Sequence, residues 1–164
     1  MKRTAYAFAR MSLHLVALTI GLFATQSIAE PLCVDYSTYA TDGPTPHDLM
    51  INGFSTRDID ETWKSQIRHG YGISLTEYGV LVIFPFPAKE IDIRAAAHCG
   101  SELEIRTFSY GQIGSVLSLS ERNTGQNLLQ DYKMTVPNNG AITRLMTYGG
   151  CNEAQVASIC ATPR

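Results

Sequence analysis

The sequence predicts an all-β protein, an antiparallel β-sandwich, and three observations lead to that prediction. Short apolar or alternating runs recur between turn signals after residue 30, without a convincing amphipathic-helix pattern. Four cysteines follow an export-type leader, as is typical of a domain stabilised by disulfides. The chain has 164 residues, which is enough for one domain with its own hydrophobic core.

The first 29 residues are interpreted as a signal peptide, and the alternative is an uncleaved N-terminal anchor. Three basic residues precede an apolar stretch, and Ser27 and Ala29 supply the small side chains that a signal peptidase reads. Cleavage after Ala29 leaves one domain, residues 30–164. Removing the three basic residues leaves 10 of 13 basic against 15 acidic side chains, a net charge of −5. We therefore expect a secreted or periplasmic protein without nucleic-acid binding, and without membrane insertion once the signal is cleaved.

Two strands joined by a proline corner are predicted in the middle of the chain. Residues 80–84 form a continuous apolar run, and Pro85 and Pro87 end it because proline cannot donate to a sheet ladder. Residues 90–97 then alternate, which predicts a strand with one buried and one solvated face. The expected buried residues are Ile91, Ile93 and Ala95, and the expected solvated ones are Glu90, Asp92 and Arg94.

The N-terminal side of these two strands is predicted to contain three short strands and one ambiguous segment. The segment 55–72 is either a long functional loop or a loop with a helical turn, which Ser55 or Thr56 would cap. The three strands are residues 32–36, 49–54 and 71–75.

The C-terminal side is predicted to contain five further strands. Residues 110–114 and 137–140 are predicted turns, and residues 121–126 are a predicted polar loop. The five strands are residues 103–108, 116–119, 128–136, 142–148 and 154–160.

Two stretches resemble known secreted domains. Residues 82–94 (VIFPFPAKEIDIR) and residues 140–145 (GAITRL), the latter followed by GGCNE and a last strand, are similar to secreted bacterial-type jelly-roll domains. Those domains have the architecture of galactose-binding-like folds and carbohydrate-binding modules. The resemblance covers about residues 80–160 and implies a jelly-roll sandwich, with carbohydrate as the leading ligand. Its motifs are structural, so they indicate a fold more than a ligand.

The four cysteines are predicted to form the disulfides Cys33–Cys160 and Cys99–Cys151. A strand over residues 154–160 would be about 20 Å long, so Cys151 and Cys160 could pair only if the chain doubled back. Two of the three pairings then remain. We prefer Cys33–Cys160 because the first and last strands are commonly neighbours in such sandwiches. No cysteine pair has the spacing of a zinc site.

The candidate ligand site is predicted on loops, because the strand residues are needed for the core faces. Trp63, Tyr71 and Tyr110 lie in or next to predicted loops, and Asn152 and Glu153 follow two glycines. An aromatic face can stack on a sugar ring, with amide or carboxylate partners at its rim. The alternative is that these aromatic side chains pack beneath the long loops.

Histidines and motifs give no prediction of catalysis. The sequence contains neither HExxH nor GxSxG, and His47, His69 and His98 are scattered. We expect these three histidines to be solvated loop residues.

The acidic segment 58–61 has three interpretations. Asp58 and Glu61 could form the acid and base pair of a glycosidase, and with Asp60 they could ligate a structural calcium ion. The segment lacks the order of a calcium-binding loop, so a solvated acidic loop is preferred. No metal and no cofactor is predicted.

The predicted function is therefore a secreted, non-enzymatic binding module for carbohydrate or another extracellular ligand. The alternative is an envelope protein-interaction or inhibitor domain that uses the same loops. A glycan hydrolase is the third possibility. An exposed aromatic strip would favour sugar, an exposed apolar patch would favour a protein partner, and a deep acidic cleft would favour an enzyme.

Overall fold

The fold is antiparallel β-structure with one 3-10 helix in the part of the chain that our computed structural model describes. The described residues are 29–39, 42–44, 48–60, 62, 64–98, 100–109, 112–120, 128–136, 140–148 and 154–164. The predicted signal peptide lies outside them except for its last residue.

Thirteen strands are formed by the described residues, and the 3-10 helix Tyr36–Thr38 follows the first of them. In chain order the strands are β1 (Leu32–Asp35), β2 (Gly43–Pro44), β3 (Leu49–Ile51), β4 (Phe54–Asp58), β5 (Gln66–Arg68), β6 (Gly72–Leu75), β7 (Val80–Ile83), β8 (Ala88–Ala97), β9 (Glu102–Ser109), β10 (Gln112–Ser120), β11 (Gln130–Thr135), β12 (Ile142–Tyr148) and β13 (Ala154–Pro163).

The strands form two sheets with the topology of a jelly roll. Sheet A has the order β11-β8-β13-β6-β5-β2, with β1 also paired to β13, and sheet B has the order β10-β9-β12-β7-β4-β3. The last eight strands, β6 to β13, form two sets of four neighbouring strands: β11-β8-β13-β6 in sheet A and β10-β9-β12-β7 in sheet B. This is the strand order of an eight-stranded jelly roll. The predicted antiparallel, jelly-roll-like β-sandwich is therefore confirmed.

The proline corner carries the chain from one sheet to the other. β7 pairs with β4 and β12 in sheet B, whereas β8 pairs with β11 and β13 in sheet A. The two strands predicted on either side of the corner both form, but they are not hydrogen-bonded to each other. The alternation in β8 is also confirmed, because Ile91, Ile93 and Ala95 are buried between the sheets while the charged residues point outward.

The core fills the space between the sheets. Phe54 and Phe84 meet edge to face with ring centroids 5.8 Å apart. Tyr36 is fully buried, and its hydroxyl makes a 2.7 Å hydrogen bond with Thr56 Oγ1. That bond satisfies the polar end of an otherwise apolar side chain, so the ring can contribute its full burial energy.

The predicted disulfide Cys33–Cys160 is confirmed. β1 runs antiparallel to β13 with Cys33 directly opposite Cys160, and the two Cα atoms are 4.0 Å apart. Cys99 and Cys151 lie outside the described residues, so the pairing of Cys99 with Cys151 remains a prediction.

Three of the predicted local structures are wrong. Residues 49–54 form a hairpin instead of one strand, because Asn52 and Gly53 both have positive φ (49° and 81°) and turn the chain between β3 and β4. The segment 55–72 is not one long loop, because it contains most of β4 and all of β5, and a helical turn capped at residue 55 or 56 does not form, since Ser55 is paired with Ile83 in sheet B. Residues 112–114 belong to β10 instead of a turn, and the irregularity there is a bulge after Ile113.

Candidate functional site

The site begins with the β5–β6 hairpin, which positions Tyr71. The backbone N–H of Tyr71 donates to the Arg68 carbonyl at 2.9 Å, closing the turn. Gly72 has a φ of 110°, and a Cβ atom there would overlap the Val156 carbonyl oxygen. Only glycine allows this close approach to β13, so the local sequence brings Tyr71 against sheet A.

A buried amide fixes the backbone at Tyr71. The Gln155 side-chain Nε2 donates to the Tyr71 carbonyl oxygen, which joins residues 84 positions apart. Gln155 lies opposite Ala96 on the outward face of sheet A, and the Ala96 side chain is nevertheless 0% exposed. The segment at Tyr71 therefore lies over this part of the sheet.

The Tyr71 ring is held by His98. The two rings are stacked at 23° with centroids 6.2 Å apart, and the Tyr71 hydroxyl is 3.2 Å from His98 Nε2. His98 follows the end of β8 and is only 8% exposed, whereas Tyr71 is 37% exposed. Tyr71 is thus the solvent-facing member of an ordered aromatic pair.

The three histidines do not share one environment. His98 is buried, so the expectation that it is a solvated loop histidine is wrong. It is buried because the segment at Tyr71 covers the outward-facing residues at the C-terminal end of β8. His69 is exposed as expected, and its ring Nδ1 lies 3.1 Å from the Tyr39 carbonyl oxygen. His47 lies outside the described residues.

The other predicted site residues, Trp63, Tyr110, Asn152 and Glu153, lie outside the described residues. Sequence reasoning missed Gln155, which bonds to the Tyr71 backbone, and the contact between His98 and the Tyr71 ring. Gln155 follows the predicted Asn-Glu pair by two positions, and that proximity was the available signal.

Asp58 is the described member of the acid and base pair considered from the sequence. Its Oδ1 accepts a 2.9 Å hydrogen bond from the Ser65 backbone N–H. Burial raises the pKa of Asp58, and the Ser65 hydrogen bonds and the nearby Lys64 charge offset this only in part. Glu61, the other member of the pair, lies outside the described residues.

The acidic segment behaves as a structured turn where it is described. Asp60 Oδ1 accepts a 2.7 Å hydrogen bond from the Thr62 backbone N–H. Among the described residues, no group of three His, Cys, Asp or Glu side chains could hold a metal ion. Nor does any helix there have the length and apolar character needed to cross a membrane.

Comparison with known proteins gives only distant similarities. No protein-family model matches the sequence, and no curated protein matches it. A solved family 6 carbohydrate-binding module is 13% identical, with a TM-score of 0.42, over 81% of this chain and 94% of its own. A carbohydrate-binding module from Cellvibrio mixtus lichenase 5A, in complex with cellotriose, is 13% identical, with a TM-score of 0.36, over 81% and 97%.

A catalytic enzyme chain also appears among the similar structures. The catalytic domain of a GH87 α-1,3-glucanase, in complex with nigerose, is 12% identical with a TM-score of 0.45. The match covers 83% of this chain and 29% of the glucanase chain. These identities and TM-scores are too low to carry an argument about this chain, so the fold assignment rests on its own strand order.

Proposed function

We propose that the chain is a secreted, non-catalytic carbohydrate-binding module whose site surrounds Tyr71. The observation that carries this proposal is the ordered pair of Tyr71 and His98, in which the more exposed ring faces solvent. A sugar gains from an aromatic ring beneath its apolar C–H face and from polar partners around it. The disulfide between Cys33 and Cys160 supports an oxidising compartment, either periplasmic or extracellular.

The predicted polar contacts Asn152 and Glu153 are supported by the start of β13. Gln155 bonds to the Tyr71 backbone, and Ala154 lies opposite Ala97, next to His98. Ala154 therefore lies beside the Tyr71–His98 pair, and Asn152 and Glu153, which precede it by two positions and by one, remain in the proposal as polar contacts. Glutamate and asparagine in that segment would supply acceptors and donors for sugar hydroxyl groups.

The position at which β5 begins supports Trp63 as a ligand contact. Gln66 lies opposite Ser74, and Ser74 lies opposite Gln155, so these three residues are level across sheet A. The connection that carries Trp63 enters sheet A at this level. Trp63 therefore remains in the proposal as a second aromatic contact.

The strand that precedes Tyr110 leads away from His98. β9 begins at Glu102, close to His98 in sequence, and ends at Ser109. The eight residues of this strand span about 23 Å at the usual rise. The strand end that precedes Tyr110 is therefore remote from His98, and Tyr110 is a candidate for a separate contact.

The test is glycan binding by the purified mature protein and its Tyr71 variants. A glycan array identifies the probe, and calorimetry with that glycan measures affinity. We expect Tyr71→Leu to weaken binding about 10-fold or more, because it keeps an apolar cover but removes the ring, while Tyr71→Phe retains most of the affinity. Tyr78→Leu is the matched control, since Tyr78 is also 37% exposed.

Two outcomes would remove this proposal. The first is that the array finds no glycan. The second is that Tyr71→Leu binds like the wild type.

Trp63→Ala is measured in parallel for affinity and melting temperature. A sugar contact would lose affinity with little change in stability, whereas a core tryptophan would lose about 3–5 kcal/mol of stability.

A further inference from the structure

The outer face of sheet B carries a row of arginines. Across five neighbouring strands, the residues directly opposite one another are Arg57, Leu81, Arg144, Arg106 and Val116. We call these five residues the arginine row. Neighbouring strands are about 4.8 Å apart, so the row is about 19 Å long.

The charge of the arginine row opposes that of the protein. The row contains three cations and no carboxylate, in a mature chain with a net charge of −5. Glu104 lies two residues before Arg106 on the same face of β9, and it contacts the Arg106 guanidinium. Neither Arg57 nor Arg144 makes an ion pair with another described residue. Arg57 and Arg144 therefore give the row an excess of positive charge over the one carboxylate that contacts it among the described residues, which suits it to carboxylate groups from outside.

A second, apolar row lies beside the first. On the same outer face, about two residues away along each strand, a second line of paired positions crosses the sheet. It includes Met50, Ser55, Ile83, Phe108 and Ile113, which we call the apolar row. Met50 is 61% exposed and Ile113 is 57% exposed. Val116, at the end of the arginine row, is 52% exposed. Isolated exposed aliphatic residues are ordinary, but these share one sheet face, which is typical of an interaction surface.

The spacing of the two rows fits one extended peptide. The rows run side by side, and two residues along each strand separate them by about 7 Å. Successive side chains of an extended segment point to opposite sides. A segment lying between the rows would therefore direct its odd-numbered side chains to one row and its even-numbered side chains to the other. At about 3.3 Å per residue, six or seven residues would cover the rows.

We propose that this face of sheet B binds an extended, acidic segment of a partner protein in which carboxylate and aliphatic side chains alternate. The carboxylates pair with the arginine row, and the aliphatic side chains pack on the apolar row. The aliphatic and arginine composition fits a protein partner, since arginine and methionine are enriched in protein interfaces. The two rows contain no tyrosine or tryptophan among their described members, so the sugar-stacking ring proposed at Tyr71 has no counterpart here.

The direct test uses a synthetic seven-residue peptide of alternating glutamate and leucine, capped at both ends. We expect fluorescence anisotropy at low salt to give a dissociation constant below about 1 mM for wild-type protein. The affinity should fall as salt is added. A peptide of alternating lysine and leucine should not bind, and one of alternating glutamate and serine should bind more weakly.

Matched double variants locate the binding site. Arg57→Gln with Arg144→Gln should weaken binding of the glutamate–leucine peptide about 10-fold, because two charge pairs are lost. The control is Arg68→Gln with Arg94→Gln, which changes the net charge equally at exposed arginines of sheet A and should change affinity less than about 2-fold. Melting temperatures of all variants exclude unfolding as a cause.

Several results would overturn the proposal. It fails if the peptide does not bind at 1 mM, or if the two double variants lose affinity equally. It also fails if an oligogalacturonate of equal charge binds through the arginine row while the peptide does not, because the partner would then be an acidic glycan. Tyr71→Leu should leave peptide binding unchanged, so this test is independent of the proposed carbohydrate site.

Discussion

Removal of the disulfide between Cys33 and Cys160 should destabilise the domain substantially. The bond joins residues separated by 127 positions, so it encloses nearly the whole described fold. In the chain-entropy account, closing a loop of that length stabilises the native state by about 5 kcal/mol at 25 °C. Measured effects are often smaller, so we expect the double variant Cys33→Ala with Cys160→Ala to lose about 2–5 kcal/mol.

The corresponding change in melting temperature follows from the size of the domain. An unfolding entropy of about 2.1 cal/mol/K per residue over the expected mature chain gives about 3.5 °C for each kcal/mol. The double variant should therefore melt about 7–18 °C below the wild type. Urea unfolding monitored by circular dichroism measures the same loss without heating the protein.

Controls separate the covalent bond from the lost side chains. Ser158→Ala changes a small residue on the same strand and should shift the melting temperature by only a few degrees. Non-reducing peptide mapping should recover Cys33 joined to Cys160, and it also tests the predicted pair Cys99–Cys151. A double variant that unfolds within about 1 kcal/mol of the wild type would refute the reasoning.

Three further predictions address the leader, the core and the β5–β6 turn. Intact mass of exported protein should show a mature chain that begins at Glu30, and a mass that retains the leader would contradict the predicted cleavage. Tyr36→Phe should lower the free energy of unfolding by about 1–2 kcal/mol in urea titrations, since Thr56 Oγ1 loses its buried 2.7 Å partner, and an unchanged midpoint would count against that bond. Gly72→Ala should destabilise the domain by several kcal/mol, whereas Gly70→Ala, whose added Cβ would meet no atom within 4 Å, should cost about 1 kcal/mol. Equal losses in the two glycine variants would show that close approach to β13 is unimportant.

Much of the fold was predictable because alternation and proline act locally. The buried and outward residues of β8 follow from a period of two, and Pro85 and Pro87 mark the end of β7. Asn52-Gly53 was an available hairpin signal, but the surrounding apolar residues suggested one continuous strand. Gly114 suggested a turn where the structure has a bulge, because glycine serves both conformations.

The candidate site was less predictable because it depends on contacts between distant residues. Tyr71 was selected from its place beside a predicted loop. The burial of His98 could not be inferred from its neighbours in sequence, since it results from a tyrosine 27 positions away. The buried Gln155 amide likewise has meaning only once β13 lies beside the β5–β6 hairpin. A sequence pattern specifies faces of strands, whereas such contacts arise from how the strands are ordered.

The pairing of the first strand with the last has a mechanical consequence. Tension that enters the chain before Cys33 and leaves it after Cys160 passes directly through their covalent bond. The residues between the two cysteines, and with them both proposed binding surfaces, would then be shielded from the pulling force. Hydrogen bonds at the outer ends of β1 and β13 could open, but the remainder of the sandwich would bear no load. A ligand held on this domain could therefore resist a pull on the flanking chain without the domain unravelling.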